Sequence, residues 1–377
     1  MGRREERQKT ARLTAIAGMV TAVATAQMGG SVMSVQSADV FVGGTEGYDT
    51  FRIPAVVVSQ EGTVLAFCEG RRHSASDSGE IELLLKRSFD SGRTWGPLQL
   101  VTADGPNTVG NPCPVVDRDT GTIWLPLTHN LGEDTETEII DQTSKGTRRV
   151  WLTHSRDDGA TWAPPIDITE QTKRPDWTWY ATGPGVSIQL RNGRLVVPCN
   201  HMVAVTKEFR SHVIYSDDHG ASWQIGGTIG PGVNESQAVE LADGSLLLNM
   251  RNYDERELNC RALARSTDGG LTWSPLSYDA ALVEPICQAS FLRYDAARLL
   301  FSNPASTKRE RLTLRLSEDE AATWSKSLVL HEGPAAYSCL TVLPDGLVGC
   351  LYESGDERFY ERIRFARVPL EALATGG

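Results

Sequence analysis

A small set of charged and aromatic residues stands out because their chemistries complement one another. The set has two carboxylic acids, one tyrosine and four arginines: Asp77, Glu235, Tyr337, Arg52, Arg71, Arg251 and Arg309. Arginines keep their charge and offer paired donors, so several of them together can hold an anionic ligand. Carboxylates can move protons, and a phenol can act as a nucleophile when a base lies beside it. These residues are far apart in the sequence, so they act together only if the fold gathers them.

A recurring eight-residue segment, here called the box, indicates how the fold is built. Four copies fit the pattern S-x-D-x-G-x-[ST]-W and begin at Ser88, Ser155, Ser216 and Ser266. A fifth copy begins at Ser317 and has Ala321 in place of the glycine, which we expect only to loosen that turn. Repetition of this kind indicates a repeat architecture. Aspartate suits a turn and glycine a permissive backbone, so we interpret the box as a folding element. Five carbohydrate or metal sites are the weaker alternative.

Short β-like runs fill the sequence between the boxes and are separated by turn signals such as Asn192-Gly193 and Asp243-Gly244. The runs group into six sets of four strands, of which the last lacks one strand. The N-terminal run at residues 40–42 can complete that set. Because no long helical period is present, we predict an all-β fold, a six-bladed β-propeller in which this pairing closes the ring.

The seven polar residues fall at equivalent places in these sets. Each either enters a first strand or lies in or near the loop between a second and a third strand. The boxes lie between third and fourth strands and therefore mark the opposite face. The agreement of seven separate placements predicts one shared site near the axis of the propeller.

Composition limits the classes of partner. The chain has 377 residues and a net charge of -11, and it carries no long basic cluster beyond the N terminus, which argues against nucleic-acid binding. Its seven cysteines stand singly, so we expect buried thiols rather than disulfides or a zinc site. Clusters of ligands at metal-binding spacing are absent from the sequence, and we expect neither a metal nor a cofactor.

The first residues differ from the rest of the chain. An arginine-rich start, a small apolar run and Ala24-Thr25-Ala26 predict a secretory signal peptide at residues 1–26, or an uncleaved anchor that gives membrane association. A disordered extension is the alternative. We expect a linker at 27–38, the propeller at 39–370 and a C-terminal tail at 371–377. The predicted location is secreted or cell-envelope, either periplasmic or extracellular.

Longer segments of the chain resemble the exo-α-sialidases (neuraminidases) of the bacterial and animal kind. The matching pieces include YDTFRIPAVVV, EGRRHSASD, GNPCPVVDRDTGTIWL, WTWYATGPG, ESQAVELADGSLLLNMRN and AYSCL. With the five boxes, they span about residues 45 to 368 in the order of the family. The resemblance implies a retaining glycosidase that releases terminal sialic acid from glycoproteins, glycolipids or oligosaccharides.

The resemblance also implies roles for the polar residues. Arg52, Arg251 and Arg309 would clamp the carboxylate of sialic acid, although Arg311 or Arg315 could be mistaken for Arg309. Tyr337 would be the nucleophile, Glu235 its base and Asp77 the general acid, with Asp49 as a rival for the acid. Sialidases are an exception among retaining glycosidases in using tyrosine.

Four further residues are implied to contact the substrate. Arg71 would lie near the sugar's 4-hydroxyl and carboxylate, with Arg72 as the alternative. Asn111, Trp179 and Tyr180 would line the pocket for the N-acyl and glycerol groups. Packing in the core is an equal alternative for the two aromatic residues.

One departure leaves other functions open. The family usually has aspartate two residues after the nucleophile, where this chain has Cys339. A disturbed tyrosine loop would leave a non-catalytic sialoglycan-binding propeller as an alternative. A trans-sialidase or an enzyme for deaminated sialic acid shares the chemistry, whereas a structural propeller that binds protein would not need three arginines.

Overall fold

The computed structural model describes residues 34–375, so the signal peptide predicted at residues 1–26 lies outside the described residues. Strands are the main regular structure of the described part, as the sequence predicts. In its first half the strands are β1 (Gln36–Val42), β2 (Thr50–Val58), β3 (Val64–Arg71), β4 (Ile81–Ser88), β5 (Gln99–Thr102), β6 (Thr108–Gly110), β7 (Val115–Val116), β8 (Ile123–Asn130), β9 (Arg149–Ser155), β10 (Ile166–Asp167), β11 (Trp177–Thr182), β12 (Ile188–Gln189) and β13 (Leu195–Val203).

The second half continues in the same way. Its strands are β14 (Phe209–Ser216), β15 (Gln224–Ile229), β16 (Val233–Glu240), β17 (Leu246–Asn252), β18 (Cys260–Ser266), β19 (Ser277–Val283), β20 (Ser290–Arg293), β21 (Leu299–Pro304), β22 (Glu310–Ser317), β23 (Lys326–Val342), β24 (Val348–Ser354), β25 (Arg362–Val368) and β26 (Ala374–Thr375). The helices are short: α1 (Glu136–Asp141), α2 (Thr169–Thr172) and the 3-10 turns Arg256–Leu258 and Leu370–Ala372. Within residues 34–375, no helix is long and apolar enough to cross a membrane.

Successive strands pair as antiparallel meanders. The orders β2-β3-β4-β5, β11-β13-β14-β15 and β16-β17-β18-β19 each follow the chain. The strands from β6 to β10 form another set, which joins the first through a single parallel pair between β4 and β6. Strands β20 to β25 form the remaining meanders, in a sheet that also contains β1.

The predicted pairing between the N-terminal strand and the last set is confirmed. Strand β1 runs antiparallel to β25, with Ala38 opposite Phe365. This strand begins at Gln36, four residues before the predicted run, so residues 36–38 of the segment expected as a linker belong to a strand. Part of the predicted tail is also ordered, because β26 pairs with the start of β23.

Six sets of four strands would make the fourth strand of the fifth set separate from the first strand of the sixth set, but the two are continuous. The structure has one strand of 17 residues, β23. Its first part pairs with β22 and its second part with β24. The chain therefore passes from one meander to the next without a loop, and register shifts in both pairings take up the change of direction.

All five boxes lie between the third and fourth strands of their sets, as predicted. In the first box, Ser88 Oγ accepts from the Gly92 N–H at 2.8 Å, and the Asp90 carboxylate accepts from the Thr94 N–H at 2.9 Å. The fifth box keeps the same network, since the Ala321 N–H donates to Ser317 Oγ at 2.9 Å. The turn is therefore not loosened, although Ala321 adopts a φ of 65° that favours glycine.

The box tryptophans join neighbouring meanders. Trp162 packs edge-on against Phe67 of β3 at 5.6 Å between ring centroids, and Trp95 packs in the same way against Phe365 of β25 at 5.1 Å. Burial of large rings between sheets stabilises the contact by hydrophobic transfer and by aromatic geometry. The box is thus a structural element that fixes one meander against the next.

We predict that Gly92→Ala destabilises the protein more than Gly346→Ala. Both glycines have a φ near 80°, where any other residue costs about 1–2 kcal/mol. A Cβ at Gly92 would lie 2.2 Å from a ring carbon of Phe365, whereas a Cβ at Gly346 would have no neighbour within 4 Å. We expect a loss near 3 kcal/mol or more at Gly92, because overpacking adds about 1–3 kcal/mol. Urea unfolding measures both changes, and equal losses would contradict this account.

Candidate active site

Side chains from all the sheets converge on one polar pocket. Arg52 comes from β2, Trp179 from β11, Glu235 from β16, Arg251 from β17 and Tyr337 from β23. Loops between strands add further residues to its wall, namely Asp77, Asn111 and Arg309. Of the ten residues expected at the site, the pocket contains nine: Arg52, Arg71, Asp77, Asn111, Trp179, Glu235, Arg251, Arg309 and Tyr337.

Tyr337 lies at the centre of a hydrogen-bonded group. Its hydroxyl donates to Glu235 Oε1 and accepts from Arg251 Nη1 at 3.3 Å. The second oxygen of Glu235 lies 2.7 Å from Arg251 Nη1. Burial, followed by the negative charge of Glu235, raises the pKa of Tyr337 well above its ordinary value. The phenol is therefore neutral and has a carboxylate base in direct contact.

Arg52 is fixed by a buried carboxylate. Its Nε lies 3.1 Å from Oε1 of Glu353, which is fully buried. Glu353 also accepts from the Ile53 N–H at 2.9 Å and the Tyr337 N–H at 3.1 Å. Ile53 has a φ of 60°, which is an outlier for a β-branched residue, and this conformation directs its N–H to the carboxylate. One glutamate thus ties the arginine to the backbone of the tyrosine.

Arg309 is the arginine of its segment that lines the pocket. Its Nη1 donates to the Tyr360 hydroxyl, and its Nη2 donates to the Ile286 carbonyl at 3.3 Å. The two alternatives lie elsewhere: Arg311 is mostly exposed beside Glu332, and Arg315 donates to Asn303. Both partners of Arg309 are neutral, so its charge is available to a ligand.

Asp77 and Arg71 lie together at the rim. Asp77 Oδ1 is 2.8 Å from Arg71 Nη2 and 3.4 Å from Arg52 Nη1. Burial acts to raise the pKa of Asp77, but the charges of Arg71 and Arg52 outweigh it and hold the pKa below its usual value. The two residues considered as alternatives to Asp77 and Arg71 lie outside the pocket. Asp49 accepts a hydrogen bond from Thr50, and Arg72 pairs with Glu82.

Asn111 is oriented by a buried arginine. Its Oδ1 accepts from Thr128 Oγ1 at 3.1 Å and from Arg148 Nη2. The guanidinium of Arg148 also stacks over Trp179, with Cζ 4.0 Å from the ring centroid. Because its oxygen is occupied, Asn111 offers its amide N–H groups to a ligand.

The assignment of Tyr180 to substrate binding is wrong. Its side chain is fully buried, and its hydroxyl lies 3.1 Å from Nε2 of His212. His212 in turn contacts His201, with the two Nδ1 atoms 3.0 Å apart, and His201 stacks on Trp177 at 3.6 Å. Neighbouring residues of a strand point to opposite faces, so Trp179 reaches the pocket and Tyr180 reaches the core.

Ten residues that line the pocket were missed from the sequence, among them Glu136, Arg148, Phe209, Tyr253 and Tyr360. Of these five, only Glu136, which begins α1, had a local signal. Thr135 and Glu138 form a capping box, and that pattern marks the start of a helix. Burial raises the pKa of Glu136, while the nearby Arg148 acts in the opposite direction.

One cluster of potential metal ligands occurs among residues 34–375, formed by Asp117, Asp119 and His219. It does not line the pocket. Asp117 is fully buried and already accepts from the Asp119 N–H at 3.0 Å and from Gln189 Nε2 at 2.9 Å. These hydrogen bonds explain why the three side chains lie together, since Asp117 is part of an internal hydrogen-bond network.

Comparison with known proteins identifies the family. The model of the BNR repeat-like domain matches residues 62–350. A sialidase of Micromonospora viridifaciens is 36% identical over 349 residues, which cover 87% of this chain and 53% of that protein. An exo-alpha-sialidase of Aspergillus fumigatus is 37% identical over 339 residues, covering 82% of this chain and 79% of that protein. The chain thus spans about half the length of the Micromonospora relative.

Solved structures agree with these matches. The Hadza microbial sialidase Hz136 superposes with a TM-score of 0.82 at 32% identity, covering 90% of this chain and 69% of that one. An intramolecular trans-sialidase of Ruminococcus gnavus, at 20% identity and a TM-score of 0.75, shares the fold. The all-β architecture is therefore that of sialidase structures, which are β-propellers. The relatives named here are sialidases, a class of glycoside hydrolase. The chain belongs to the sialidase family.

Cys339 does not disturb the tyrosine. The residue is fully buried in the apolar core, where its Sγ accepts from the Val56 N–H at 3.3 Å. Burial raises the pKa of its thiol to about 12, so the group is neutral. Tyr337, two residues earlier, keeps its contacts with Glu235 and Arg251. The change from the usual aspartate is therefore accommodated by packing.

We predict that Cys339→Asp destabilises this chain by about 3 kcal/mol or more, because a carboxylate would be buried without a cationic partner. Cys339→Ser is the control, since a hydroxyl can bond to the same backbone groups of Val56 and should cost only about 1 kcal/mol. Chemical denaturation of both variants near neutral pH measures the difference. An Asp variant as stable as the Ser variant would show that the site holds an unrecognised partner for the charge.

We predict that the buried histidine pair makes the protein sensitive to acid. Burial lowers the pKa of His201 to about 3 and that of His212 well below its ordinary value. Below about pH 6.5 the unfolded chain takes up protons at both residues and the folded chain does not, so stability falls as pH falls. Each histidine should cost about 1 kcal/mol between about pH 7 and pH 5.5.

The comparison is between His201→Gln and His73→Gln, because His73 is exposed on the surface. Urea unfolding at the two pH values should show a smaller acid-induced loss for His201→Gln, by about 1 kcal/mol, than for wild type or His73→Gln. The same loss in all three proteins would rule out this role for the buried pair.

Proposed function

We propose that the protein is a retaining exo-α-sialidase that hydrolyses terminal α-linked sialic acids of glycoproteins, glycolipids or oligosaccharides through a tyrosine-linked intermediate. One observation carries the proposal. The Tyr337 hydroxyl is hydrogen-bonded to Glu235 in a pocket whose wall includes Arg52, Arg251 and Arg309. We call these three arginines the carboxylate clamp.

The clamp suits the chemistry of the substrate. Sialic acid carries a carboxylate on the anomeric carbon, and arginine binds carboxylates through paired donors. A carboxylate nucleophile would be repelled by this group. A neutral phenol avoids the repulsion, and Glu235 supplies the base that such a weak acid needs.

The reaction has two displacements at the anomeric carbon. In the first, Tyr337 Oη forms a bond to that carbon, its proton passes to Glu235, and the aglycone leaves with a proton from Asp77. In the second, Asp77 takes a proton from water, the water oxygen bonds to the carbon, and Tyr337 leaves and recovers its proton from Glu235. Two inversions retain the configuration.

The ion pairs of Asp77 fit this exchange of protons. In the free protein, Arg71 and Arg52 hold Asp77 in its charged form. A bound carboxylate would share the charge of Arg52 and weaken that effect. The pKa of Asp77 would then rise toward the range in which a carboxylic acid can donate a proton.

The architecture in the proposal is a closed ring of six blades. The meanders described above, with β1 paired to β25, support six four-stranded sets. We further propose a signal peptide at residues 1–26 and a secreted or cell-envelope location. The partners would be sialylated glycans, and no cofactor takes part.

We predict that Tyr337→Phe loses roughly a thousandfold or more of kcat on a fluorogenic α-sialoside, because the nucleophile is removed and the ring is kept. Tyr294→Phe is the matched control, since its hydroxyl bonds to the Gly346 carbonyl and the residue is outside the pocket. Comparable turnover by Tyr337→Phe and wild type would refute the assigned nucleophile.

Two further results would redirect the proposal. An inert wild type that binds sialic acid only while Arg251 is intact would indicate a sialoglycan-binding protein. Transfer of sialic acid to added galactosides in preference to water would indicate a trans-sialidase. Product analysis by mass spectrometry separates hydrolysis from transfer.

A further inference from the structure

Tyr360 lies between two arginines of the carboxylate clamp. Its ring covers the guanidinium of Arg52, with Cζ 3.7 Å from the ring centroid. Its hydroxyl accepts a hydrogen bond from Nη1 of Arg309. Arg52 comes from β2 and Arg309 from the segment before β22, so one side chain connects two distant parts of the clamp.

The segment that carries Tyr360 is itself held firmly. It joins β24 to β25, and the carboxylate of Glu361 accepts from the backbone N–H groups of Asp356, Glu357 and Arg358 at 3.0, 3.0 and 2.8 Å. Gly355 allows a close approach, because a Cβ there would lie 1.9 Å from the Arg358 carbonyl oxygen. The phenol therefore presents a fixed surface to both arginines.

The neutrality of the phenol gives it a function that a carboxylate could not have. Burial raises the pKa of Tyr360 to about 12, so it carries no charge at neutral pH. A carboxylate beside Arg309 would neutralise the guanidinium and compete with an anionic ligand. A phenol restricts the rotamers of the arginine and leaves its positive charge in place.

We propose that Tyr360 is a positioning residue of the carboxylate clamp, which sets Arg52 through its ring face and Arg309 through its hydroxyl so that both guanidinium groups meet one substrate carboxylate. The inference rests on the proposed function. It predicts an effect that depends on the carboxylate of the ligand, which a general structural role would not produce.

The test compares Tyr360→Phe with wild type and with Tyr294→Phe as the control. Two ligands are titrated calorimetrically: the 2,3-unsaturated analogue of sialic acid with a free carboxylate, and its methyl ester. Tyr360→Phe should weaken binding of the free acid roughly tenfold, since a hydrogen bond to a charged group is lost. Binding of the ester should change less than twofold, and Tyr294→Phe should bind both ligands as wild type does.

A double-mutant cycle places the effect on Arg309. Once Arg309→Gln has removed the guanidinium, the further change Tyr360→Phe should weaken acid binding by less than twofold. Equal weakening of acid and ester, no weakening of either, or additive effects with Arg309→Gln would overturn the inference.

The proposed function is judged separately by wild-type turnover of the fluorogenic α-sialoside. If wild type is active and Tyr360→Phe binds both ligands as wild type does, the role of Tyr360 is refuted and the sialidase proposal stands. An inert wild type that binds neither ligand removes both.

Discussion

The concentration of positive charge in one buried pocket is the constraint on which the structure depends. Arg52, Arg251 and Arg309 must lie close enough to share one anion, although their charges repel in a medium of low dielectric. The fold offsets this repulsion unequally. Glu353 pairs with Arg52 and Glu235 with Arg251, while Arg309 has only neutral acceptors. Arg309 therefore keeps a positive charge that no carboxylate neutralises directly, within a chain whose overall charge is -11.

Distortions of the strands direct the side chains into this pocket. The register shifts in β2 between Arg52 and Ala55, in β16 between Val233 and Ser236, and in β23 between Ala335 and Ser338. Arg52 begins the first of these intervals, and Glu235 and Tyr337 lie within the second and the third. A bulge interrupts the alternation of side chains and can aim one of them along the axis rather than across the sheet. The regular strand pairing makes the scaffold rigid, and the bulges orient the functional side chains toward the pocket.

The sequence predicted the parts of this arrangement that have local signals. Boxes and turn pairs gave the strand sets, and the pairing of β1 with the last set followed from one missing strand. The unbroken strand β23 could not be predicted, and the sequence left Tyr180 open between the pocket and the core, because bulges and strand register leave no clear local pattern. Arg148 and Tyr360 enter the pocket through tertiary contacts alone. Their surroundings are assembled from residues far away in the chain, so no short motif reports them.

The contact between Arg52 and Glu353 joins residues 301 positions apart, and β1 meets β25 over a similar separation. Contacts between residues so far apart in the sequence form late in folding, because closing a long loop costs entropy before the contact energy is gained. During synthesis, the early meanders can fold while the last one is still absent. The clamp would then lack the support of Glu353 and Tyr360 until β24 and the segment after it are synthesised. The pocket of each molecule would thereby reach its final geometry only after strands β24 and β25 had been synthesised.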